Sequence, residues 1–321
     1  MSLFSPIAIA PMIDWTYVHF RVFMRILAPN ALLYTEMQTT GAVEYNADRA
    51  LEYLSCEQPL ALQLGGSDRE ALVRCAQQAE ARGFSEINLN LGCPSDRVQA
   101  GRFGACMMAE PKHVAECIGA MKQAVSIPVT AKTRIGIDEQ DSYDYFSDFV
   151  GALVDAGSDK LIVHARKAWL KGLSPKQNRT IPPLQYEYVY RIKAEYPHIP
   201  VVINGNIQTL DEMNHHLHFV DGVMLGRLAC QNPYQIAILH HALYPEIPLI
   251  SRTDALQHYV DYVLSLDKPH GGMGHFIKPI LNLTHGQAGS KAWRELVVQV
   301  QRKGDVRGLL DIIPTNGFSE Q

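Results

Sequence analysis

The chain has 321 residues, and its composition excludes several classes of protein. Hydrophobic residues make up 47% and charged residues 19%, which is typical of a folded globular protein and not of a disordered one. The formal net charge of −4 argues against a generally basic nucleic-acid-binding protein but leaves room for a local basic patch. No apolar run approaches the roughly 18 residues of a membrane-spanning helix, so we expect no membrane association.

The cysteines and the first residues predict a cytoplasmic location. The six cysteines are scattered without a Cys-x-x-Cys pair, which disfavours both a zinc ribbon and a disulfide framework. The N-terminal residues show neither the basic segment nor the apolar core of a signal peptide. A reducing cytoplasm is the default for such a chain. Nothing in the sequence indicates a stable protein partner.

Eight short apolar segments, most of them separated by helical stretches, predict the fold. In chain order these segments span residues 7–10, 32–34, 60–64, 86–90, 129–132, 160–164, 201–204 and 222–225. Strands that alternate with helices are typical of a parallel sheet, and eight such units predict a (β/α)8 TIM barrel. An open, doubly wound sheet is the alternative. It is disfavoured because no Gly-x-Gly-x-x-Gly follows the first strand.

The pattern changes near residue 248, where the strand signals stop and apolar residues recur at helical spacing. Three such sets are Leu256, Tyr259, Val260, Val263 and Leu264, then Phe276, Ile277, Ile280 and Leu281, then Trp293, Leu296, Val297 and Val300. These sets predict a small all-helical domain after the barrel. We place the barrel in residues 1–245 and the helical domain in residues 246–321.

Polar side chains stand at the predicted strand ends. The C-terminal ends of barrel strands converge on one face, which holds the active site in barrel enzymes. Each residue has a structural alternative: Gln63 could cap a helix, Lys132 could pair with Glu36, and His164 could be a core histidine. A complete ring of polar residues nevertheless predicts a functional face. The ring consists of Met12, Glu36, Gln63, Asn90 with Cys93, Lys132, His164, Asn204 and Arg227.

The turns after the last two strands predict a phosphate site. Asn204, Gly205 and Asn206 follow the seventh strand, and Gly226 and Arg227 follow the eighth. Barrels commonly hold phosphate at these two loops, where backbone amides and a charged donor can surround an anion. These turns predict a phosphate-bearing ligand but do not identify it, since they would also fit a phosphosugar enzyme.

A cysteine loop follows the fourth strand at residues 90–95, with the sequence Asn-Leu-Gly-Cys-Pro-Ser. The glycine permits close approach of a ligand, and the proline cannot donate a backbone hydrogen bond. The thiol of Cys93 is therefore expected at the barrel mouth. Buried cysteine is the commoner fate of this residue type, so the loop alone is modest evidence of function.

Six motifs stand at the ends of predicted strands. They are Pro11-Met-Ile-Asp14, Thr35-Glu-Met37, Gln63-Leu-Gly-Gly66, Asn88-Leu-Asn-Leu-Gly-Cys-Pro-Ser95, Lys132-Thr-Arg-Ile-Gly136 and His164-Ala-Arg-Lys-Ala-Trp169. Together these motifs resemble the tRNA-dihydrouridine synthases. The segment from Gly172 to Arg179 with Ile181-Pro-Pro183 resembles the A type of that family in particular. One departure is visible, because the family usually has Asn-Gly-Gly where this chain has Asn206 in the last position.

The resemblance implies an FMN enzyme that reduces a uridine in tRNA with electrons from NADPH. Reduced flavin supplies a hydride to C6 of uracil, and Cys93 matches the residue that gives a proton to C5. Lys132 matches the cation near the flavin pyrimidine edge, and Asn90 would orient the substrate base. The implied flavin contacts are Pro11, Met12 and Ile13 along the ring, Gln63 on the ring, and His164, Asn204, Gly205, Asn206, Gly226 and Arg227 at the ribityl and phosphate end.

Two basic clusters are candidate tRNA contacts, since RNA affinity depends largely on phosphate contacts. The segment from Arg166 to Arg179 contains Lys167, Lys171 and Lys176 and no acidic residue, and it follows the sixth strand at the barrel mouth. A second, weaker set includes Lys291 and Arg294. The A-type resemblance implies that the target uridine lies in the D loop, at the twentieth nucleotide or its neighbour.

Two rival functions remain open from the sequence. One is a flavin barrel oxidoreductase that acts on a free pyrimidine, and the other is a non-catalytic RNA-binding protein. Metal binding is not expected, because the histidines look like exposed helix residues. These histidines are His215, His216, His218, His240 and His241.

Overall fold

The computed structural model describes residues 4–266 and 272–312. Eight parallel strands close into a barrel, with a two-residue strand, β3, beside β4. Strands β1 and β9 pair through Ala8 and Met224, which closes the sheet. The predicted TIM barrel is confirmed, and the open sheet is wrong. The strands are β1 Ile7–Ile9, β2 Leu32–Tyr34, β3 Gln38–Thr39, β4 Leu60–Gly65, β5 Glu86–Leu91, β6 Val129–Arg134, β7 Leu161–His164, β8 Val201–Asn204 and β9 Gly222–Leu225.

Helices surround the barrel and continue beyond it. Asp68 caps α4 by accepting a hydrogen bond from the Ala71 amide at 2.7 Å, and Pro111 is the first residue of α6. The α-helices are α1 Val18–Leu27, α2 Thr40–Tyr45, α3 Ala47–Ala50, α4 Arg69–Ala81, α5 Asp96–Ala100, α6 Pro111–Ala124, α7 Tyr143–Asp155, α8 Tyr186–Glu195, α9 Leu210–Leu217, α10 Arg227–Gln231, α11 Pro233–Leu243, α12 Arg252–Leu264, α13 Met273–Ile277 and α14 Ser290–Lys303. The 3-10 helices are Ser55–Glu57, Gly104–Ala109, Gln177–Arg179, Lys278–Ile280 and Val306–Ile312.

The alternation of side chains along β5 explains its sequence. Ile87 and Leu89 point outward into the main core between the sheet and the helices. Glu86, Asn88 and Asn90 point into the barrel, where they bond to side chains of neighbouring strands. Successive side chains of a strand face opposite sides, so one strand serves both the packing outside and the polar interior.

The helical region packs against the first barrel helix. The rings of Phe23 in α1 and Tyr259 in α12 meet edge to face at 5.1 Å. The Tyr259 hydroxyl donates to the Phe276 carbonyl at 2.9 Å, which ties α12 to α13. The predicted apolar face of α12 is confirmed except at Leu264, which is 42% exposed. Among the described residues, no helix is both long enough and apolar enough to span a membrane.

The expectation of exposed helix histidines is wrong for two residues. His216 is buried and its Nδ1 lies 2.7 Å from the Tyr190 hydroxyl. His240 is also buried and its Nε2 accepts a hydrogen bond from the Asn30 amide at 3.2 Å. Both side chains serve the packing of α9 and α11. Within the described part of the chain, no cluster of three or more His, Cys, Asp or Glu side chains could hold a metal ion.

Candidate active site

The C-terminal mouth of the barrel opens into a cavity of about 800 Å³. This size suits a cofactor-sized ligand. Most of the residues predicted from the strand ends line it, whereas Glu36, Arg166, Lys171, Lys176, Lys291 and Arg294 do not. The predicted residues that do line it are Pro11, Met12, Ile13, Gln63, Asn90, Cys93, Lys132, His164, Arg179, Asn204, Gly205, Asn206, Gly226 and Arg227.

The cysteine loop is held firmly at the cavity wall. The side-chain oxygen of Asn90 accepts hydrogen bonds from the amides of Gly92 at 3.1 Å and Cys93 at 3.0 Å. The Cys93 carbonyl accepts from the Ala105 amide at 2.9 Å. Gly104 has a φ of +77°, and a Cβ added there would lie 2.6 Å from the Cys93 carbonyl oxygen. Only glycine therefore allows this loop packing.

The Cys93 side chain faces the cavity and is half-buried. Its Sγ lies 3.5 Å from the Ser95 hydroxyl. All six cysteines are free thiols. A fixed, accessible thiol in a cavity can exchange a proton with a bound ligand, which is the geometry that a general acid requires.

The amide of Gln63 lies at the floor of the cavity and is almost fully buried. It donates to the Asn88 side-chain oxygen at 2.8 Å and accepts from the Asn90 side-chain nitrogen at 2.8 Å. The alternative that Gln63 caps a helix is wrong, because Asp68 caps α4. Gln63 and Asn90 therefore orient each other beneath the ligand space.

Lys132 is a cation without a carboxylate partner among the described residues. Its Nζ lies 3.3 Å from the side-chain oxygen of Asn204, so the alternative pairing with Glu36 is wrong. Burial, and then the nearby Arg134 guanidinium, lower the pKa of Lys132 to about 7. Near neutral pH this side chain is therefore partly in its neutral amine form, which would take up a proton when an anion binds beside it.

His164 lies in the same positive environment. Burial lowers its pKa well below the ordinary value, and the surrounding cations, led by Arg134 and Lys132, lower it further. The imidazole is therefore neutral at physiological pH. Of the described residues that line the cavity, Asp14 is the only carboxylate. A cavity with this excess of positive charge favours an anionic ligand.

The first of the two predicted phosphate loops contains two consecutive residues with positive φ. Gly205 has a φ of +142° and Asn206 a φ of +58°, so Asn206 adopts the left-handed conformation expected of an asparagine in this position. Arg227 donates to the Asn206 side-chain oxygen at 3.3 Å. Gly226 differs, because its φ is −110° and an added Cβ would come no closer than 3.6 Å to a neighbour. The space around position 226 therefore does not require glycine.

Arg166 does not belong to an exposed basic surface, which corrects the sequence prediction. The side chain is buried and donates to the carbonyls of Thr180, at 3.5 Å, and Pro182. Its Nε is buried and has no hydrogen-bond partner among the described residues. Arg166 therefore stabilises the loop that carries Thr180 and Pro182 through hydrogen bonds to its backbone.

Of the remaining basic residues of this loop, Lys167 pairs with Asp141 at 2.7 Å, and the other three divide into two groups. Lys171 and Lys176 are exposed. Arg179 lines the cavity, where burial and then Arg227 lower its pKa. The loop is pinned by the fully buried Asn178, whose side-chain oxygen accepts from the Trp169 amide at 2.8 Å. The segment is thus an ordered wall of the cavity with a basic outer rim.

The cavity residues that the sequence analysis missed include two cations, Arg134 and Lys278. Arg134 donates to the Gly92 carbonyl at 2.9 Å and to the Asn178 carbonyl at 3.0 Å, which joins the cysteine loop to the basic loop. Its place two residues after Lys132, on the same face of β6, was a usable signal. Lys278, in the helical region, donates to the Asp14 carbonyl at 2.6 Å, and no sequence pattern indicated this contact.

Lys291 and Arg294 lie on α14 and are exposed. Lys291 approaches Glu295 at 3.9 Å, and Arg294 donates to the Ser290 carbonyl at 3.2 Å. Neither residue lines the cavity. They form a separate basic rim on the helical region.

Known proteins similar to this chain agree on one family. A sequence model of the dihydrouridine synthase (Dus) family matches residues 8–316. The tRNA-dihydrouridine(20/20a) synthase of Shewanella oneidensis is 50% identical over 92% of this chain and 89% of its own length. The protein of the same name from Shigella flexneri is 48% identical over 92% of this chain and 88% of its own.

Among solved structures, a 2-naphthoyl-CoA reductase in complex with 2-naphthoyl-CoA superposes with a TM-score of 0.55 at 8% identity. The match covers 75% of this chain and 50% of that one, so this chain spans half the length of the reductase. At this level of identity the likeness concerns the fold alone.

Proposed function

We propose, because the chain belongs to the dihydrouridine synthase family, that it reduces uridine to 5,6-dihydrouridine in tRNA. The relatives are named for positions 20 and 20a, and we assign the same D-loop positions to this chain. The observation that carries the proposal is the position of Cys93. The Cys93 thiol, on a loop that Asn90 holds in place, faces a large, positively charged cavity at the barrel mouth.

The cavity fits FMN, the cofactor of this family, with NADPH as the reductant. The cations that line the mouth have no counter-ion apart from Asp14 among the described lining residues. The left-handed backbone at Asn206 and the Arg227 guanidinium beside it support a phosphate at the loops after β8 and β9. Bound FMN would supply the hydride for uracil C6.

The proposed roles of the residues follow from their positions in the cavity. Cys93 would hold the proton for uracil C5 at its Sγ. Lys132, with its pKa lowered to about 7, would gain its proton fully beside an anionic ring and stabilise that charge. Asn90 would orient the base. The proposed cofactor contacts are Pro11, Met12, Ile13, Gln63, His164, Asn204, Gly205, Asn206, Gly226 and Arg227.

The uridine must leave the folded RNA to reach the cavity. We assign tRNA contacts to Lys171, Lys176 and Arg179 on the barrel and to Lys291 and Arg294 on α14. Arg166 would act indirectly, by bracing the loop that carries the first three. This division matches a catalytic domain of residues 1–245 and a tRNA-binding domain of residues 246–321, whose last nine residues lie outside the described part. A tRNA substrate and free thiols fit a cytoplasmic enzyme.

The test is reduction of an unmodified tRNA transcript by the purified protein with FMN and NADPH. Mass spectrometry should find dihydrouridine at position 20, position 20a or both. Cys93→Ala should slow its formation by about 10²–10⁴-fold, because a general acid contributes that much. Reduction of the flavin by NADPH should persist in the variant, since it needs no acid at uracil C5.

Cys106→Ala is the matched control, because Cys106 is also half-buried but does not line the cavity. This variant should keep the wild-type rate. Reduction of free uracil or uridine in preference to tRNA would support the rival oxidoreductase instead. A protein that binds tRNA but forms no dihydrouridine with FMN and NADPH would overturn the proposal in favour of a non-catalytic RNA-binding role.

A further inference from the structure

We propose that Glu86, at the far end of the barrel interior, is a positioning residue for Cys93. It would act through a chain of buried side chains that ends on the cysteine loop. The proposal rests on the proposed function only in assigning Cys93 to the reaction. We call the series Glu86, Thr130, Asn88, Gln63 and Asn90 the interior chain.

The interior chain is continuous. The Thr130 hydroxyl donates to Glu86 Oε1 at 2.6 Å, and Asn88 Nδ2 donates to Thr130 Oγ1 at 2.9 Å. Gln63 Nε2 then donates to Asn88 Oδ1 at 2.8 Å. Asn90 Nδ2 donates to Gln63 Oε1 at 2.8 Å, and Asn90 Oδ1 faces the cysteine loop. Every donor points toward Glu86.

The two ends of the interior chain force this single direction. A carboxylate paired with the Lys160 ammonium can only accept, so the Thr130 hydroxyl gives its proton to Glu86 and must itself accept from Asn88. At the other end, the backbone amides of the cysteine loop can only donate, so they require the oxygen of Asn90. Each of the three amide side chains between these ends could otherwise be turned over, with oxygen and nitrogen exchanged.

Burial removes the alternatives that solvent would provide. Thr130 and Asn88 are fully buried and Gln63 is 1% exposed, so an amide turned the wrong way would lose its partners with no water to replace them. The Thr130 hydroxyl has one competing acceptor, the Ile87 carbonyl at 3.2 Å, which is more distant than Glu86. A directed chain of hydrogen bonds in a dry interior also strengthens each of its members.

The consequence for Cys93 is positional. Asn90 holds both loop amides through one oxygen, and the direction of the interior chain keeps that oxygen turned toward the loop. Without the anchor, Asn90 can turn over and present its nitrogen to two N–H groups, which repels the loop. A displacement of about 1 Å at a reacting group can cost on the order of 10²-fold in rate.

The test is Thr130→Val, which removes the hydroxyl at nearly constant shape and breaks the interior chain next to Glu86. Single-turnover reduction of tRNA uridine should be measured with the flavin site saturated with FMN and reduced beforehand. We expect this step to slow by about tenfold or more. Thr130→Ser keeps the hydroxyl and should restore the rate. If Thr130→Val does not fold, Thr130→Ala makes the same break without added volume.

Tyr34→Phe is the matched control. The Tyr34 hydroxyl donates to the same Glu86 oxygen at 2.7 Å but lies off the interior chain. This variant should lose a similar amount of thermal stability and keep the uridine step near the wild-type rate. Equal slowing by both variants, or an unchanged uridine step in Thr130→Val, would overturn the proposal. A loss of FMN affinity alone would assign the chain to the cofactor and would also overturn it. Failure of the wild-type protein to form dihydrouridine would instead contradict the proposed function.

Discussion

Two lysines on neighbouring strands of the barrel have opposite surroundings. Lys160 stands just before β7 near the lower end of the barrel, is 7% exposed and pairs with Glu86. Lys132 in β6 reaches the upper mouth, where its Nζ has one hydrogen bond to the described residues, to the side-chain oxygen of Asn204. Burial and the neighbouring Arg134 lower the pKa of Lys132 to about 7.

The difference separates a structural charge from one kept for a ligand. At the lower end, the protein itself neutralises and hydrogen-bonds the Glu86 carboxylate. Glu86 pairs with Lys160 and also accepts hydrogen bonds from Tyr34 and Thr130. At the upper end the protein leaves the positive charge uncompensated, which costs stability unless an anion binds. The same barrel therefore shows both arrangements, and the uncompensated one lies in the candidate active site.

The largest expected effect comes from removing each lysine in turn. Lys160→Met should lower the free energy of unfolding by about 3–5 kcal/mol, because it leaves the Glu86 carboxylate buried and unpaired. Lys132→Met should leave the stability of the FMN-free protein unchanged or raise it, since it removes a buried amine whose protonated form has no counter-ion. Urea unfolding at pH 7.5 measures both. Equal destabilisation by the two variants would contradict the claim that Lys160 stabilises the fold and Lys132 does not.

The next effect concerns the phosphate end of the upper site. Arg227→Ala should weaken FMN binding by about 1.5–3 kcal/mol, which is the contribution of a charged hydrogen bond. Titration of the FMN-free protein with FMN, followed by flavin fluorescence, measures the change. Arg82→Ala is the control, because Arg82 ends α4 and so lies at the opposite end of the barrel. Unchanged FMN affinity in Arg227→Ala would remove this residue from the site.

The lowered pKa of Lys132 predicts how FMN binding depends on pH. The folded, FMN-free protein holds this proton less tightly than the unfolded chain, so its stability should rise with pH from about 7 to about 10. An anionic ligand favours the protonated lysine, so FMN affinity should fall over the same range, by at most about tenfold per pH unit. Titrations between pH 7 and pH 9.5 measure this. If FMN affinity still falls with pH in Lys132→Met, the pH dependence belongs to another titrating group.

The smallest effect concerns the basic rim outside the cavity. Replacing Lys176 and Arg179 with alanine should raise KM for tRNA. The slope of log binding constant against log salt concentration should become shallower by roughly 0.7–0.9 for each charge removed. The control replaces Arg82 and Lys193, which lie at helix C-terminal ends away from the mouth. NADPH oxidation should change little in either double variant. An unaltered salt slope in the first would shift the RNA contact to Lys291 and Arg294.

The barrel and most of the cavity could be predicted because they depend on local patterns. The position of a residue at a strand end determines that it faces the mouth, so Gln63, Cys93 and Lys132 were found from the strand boundaries alone. The Asn90 side chain was expected to touch substrate, and the structure adds a second task, holding the Cys93 amide at 3.0 Å. The assigned roles of these residues remain predictions that the experiments above address.

The basic loop illustrates where a sequence pattern fails. Arg166 and Lys176 look alike in a run of basic residues without acids, yet Arg166 is 8% exposed and Lys176 is exposed. Arg166 turns inward because the carbonyls of Thr180 and Pro182 fold back over it. The sequence shows that the segment is basic, but only the backbone conformation of the segment determines which of its cations are exposed to solvent.

The sequence by itself determined the alternation of strands and helices, the ring of residues at the strand ends and the cysteine loop, because each depends on neighbours close along the chain. The tertiary structure alone decided the contacts between distant segments. Lys278 meets Asp14 across 264 positions, and Lys160 meets Glu86 across 74. Neither pair has a local signal, because barrel closure and helix packing bring them together. The physical reason is that the partner of a buried charge is set by the fold and not by its neighbours in sequence.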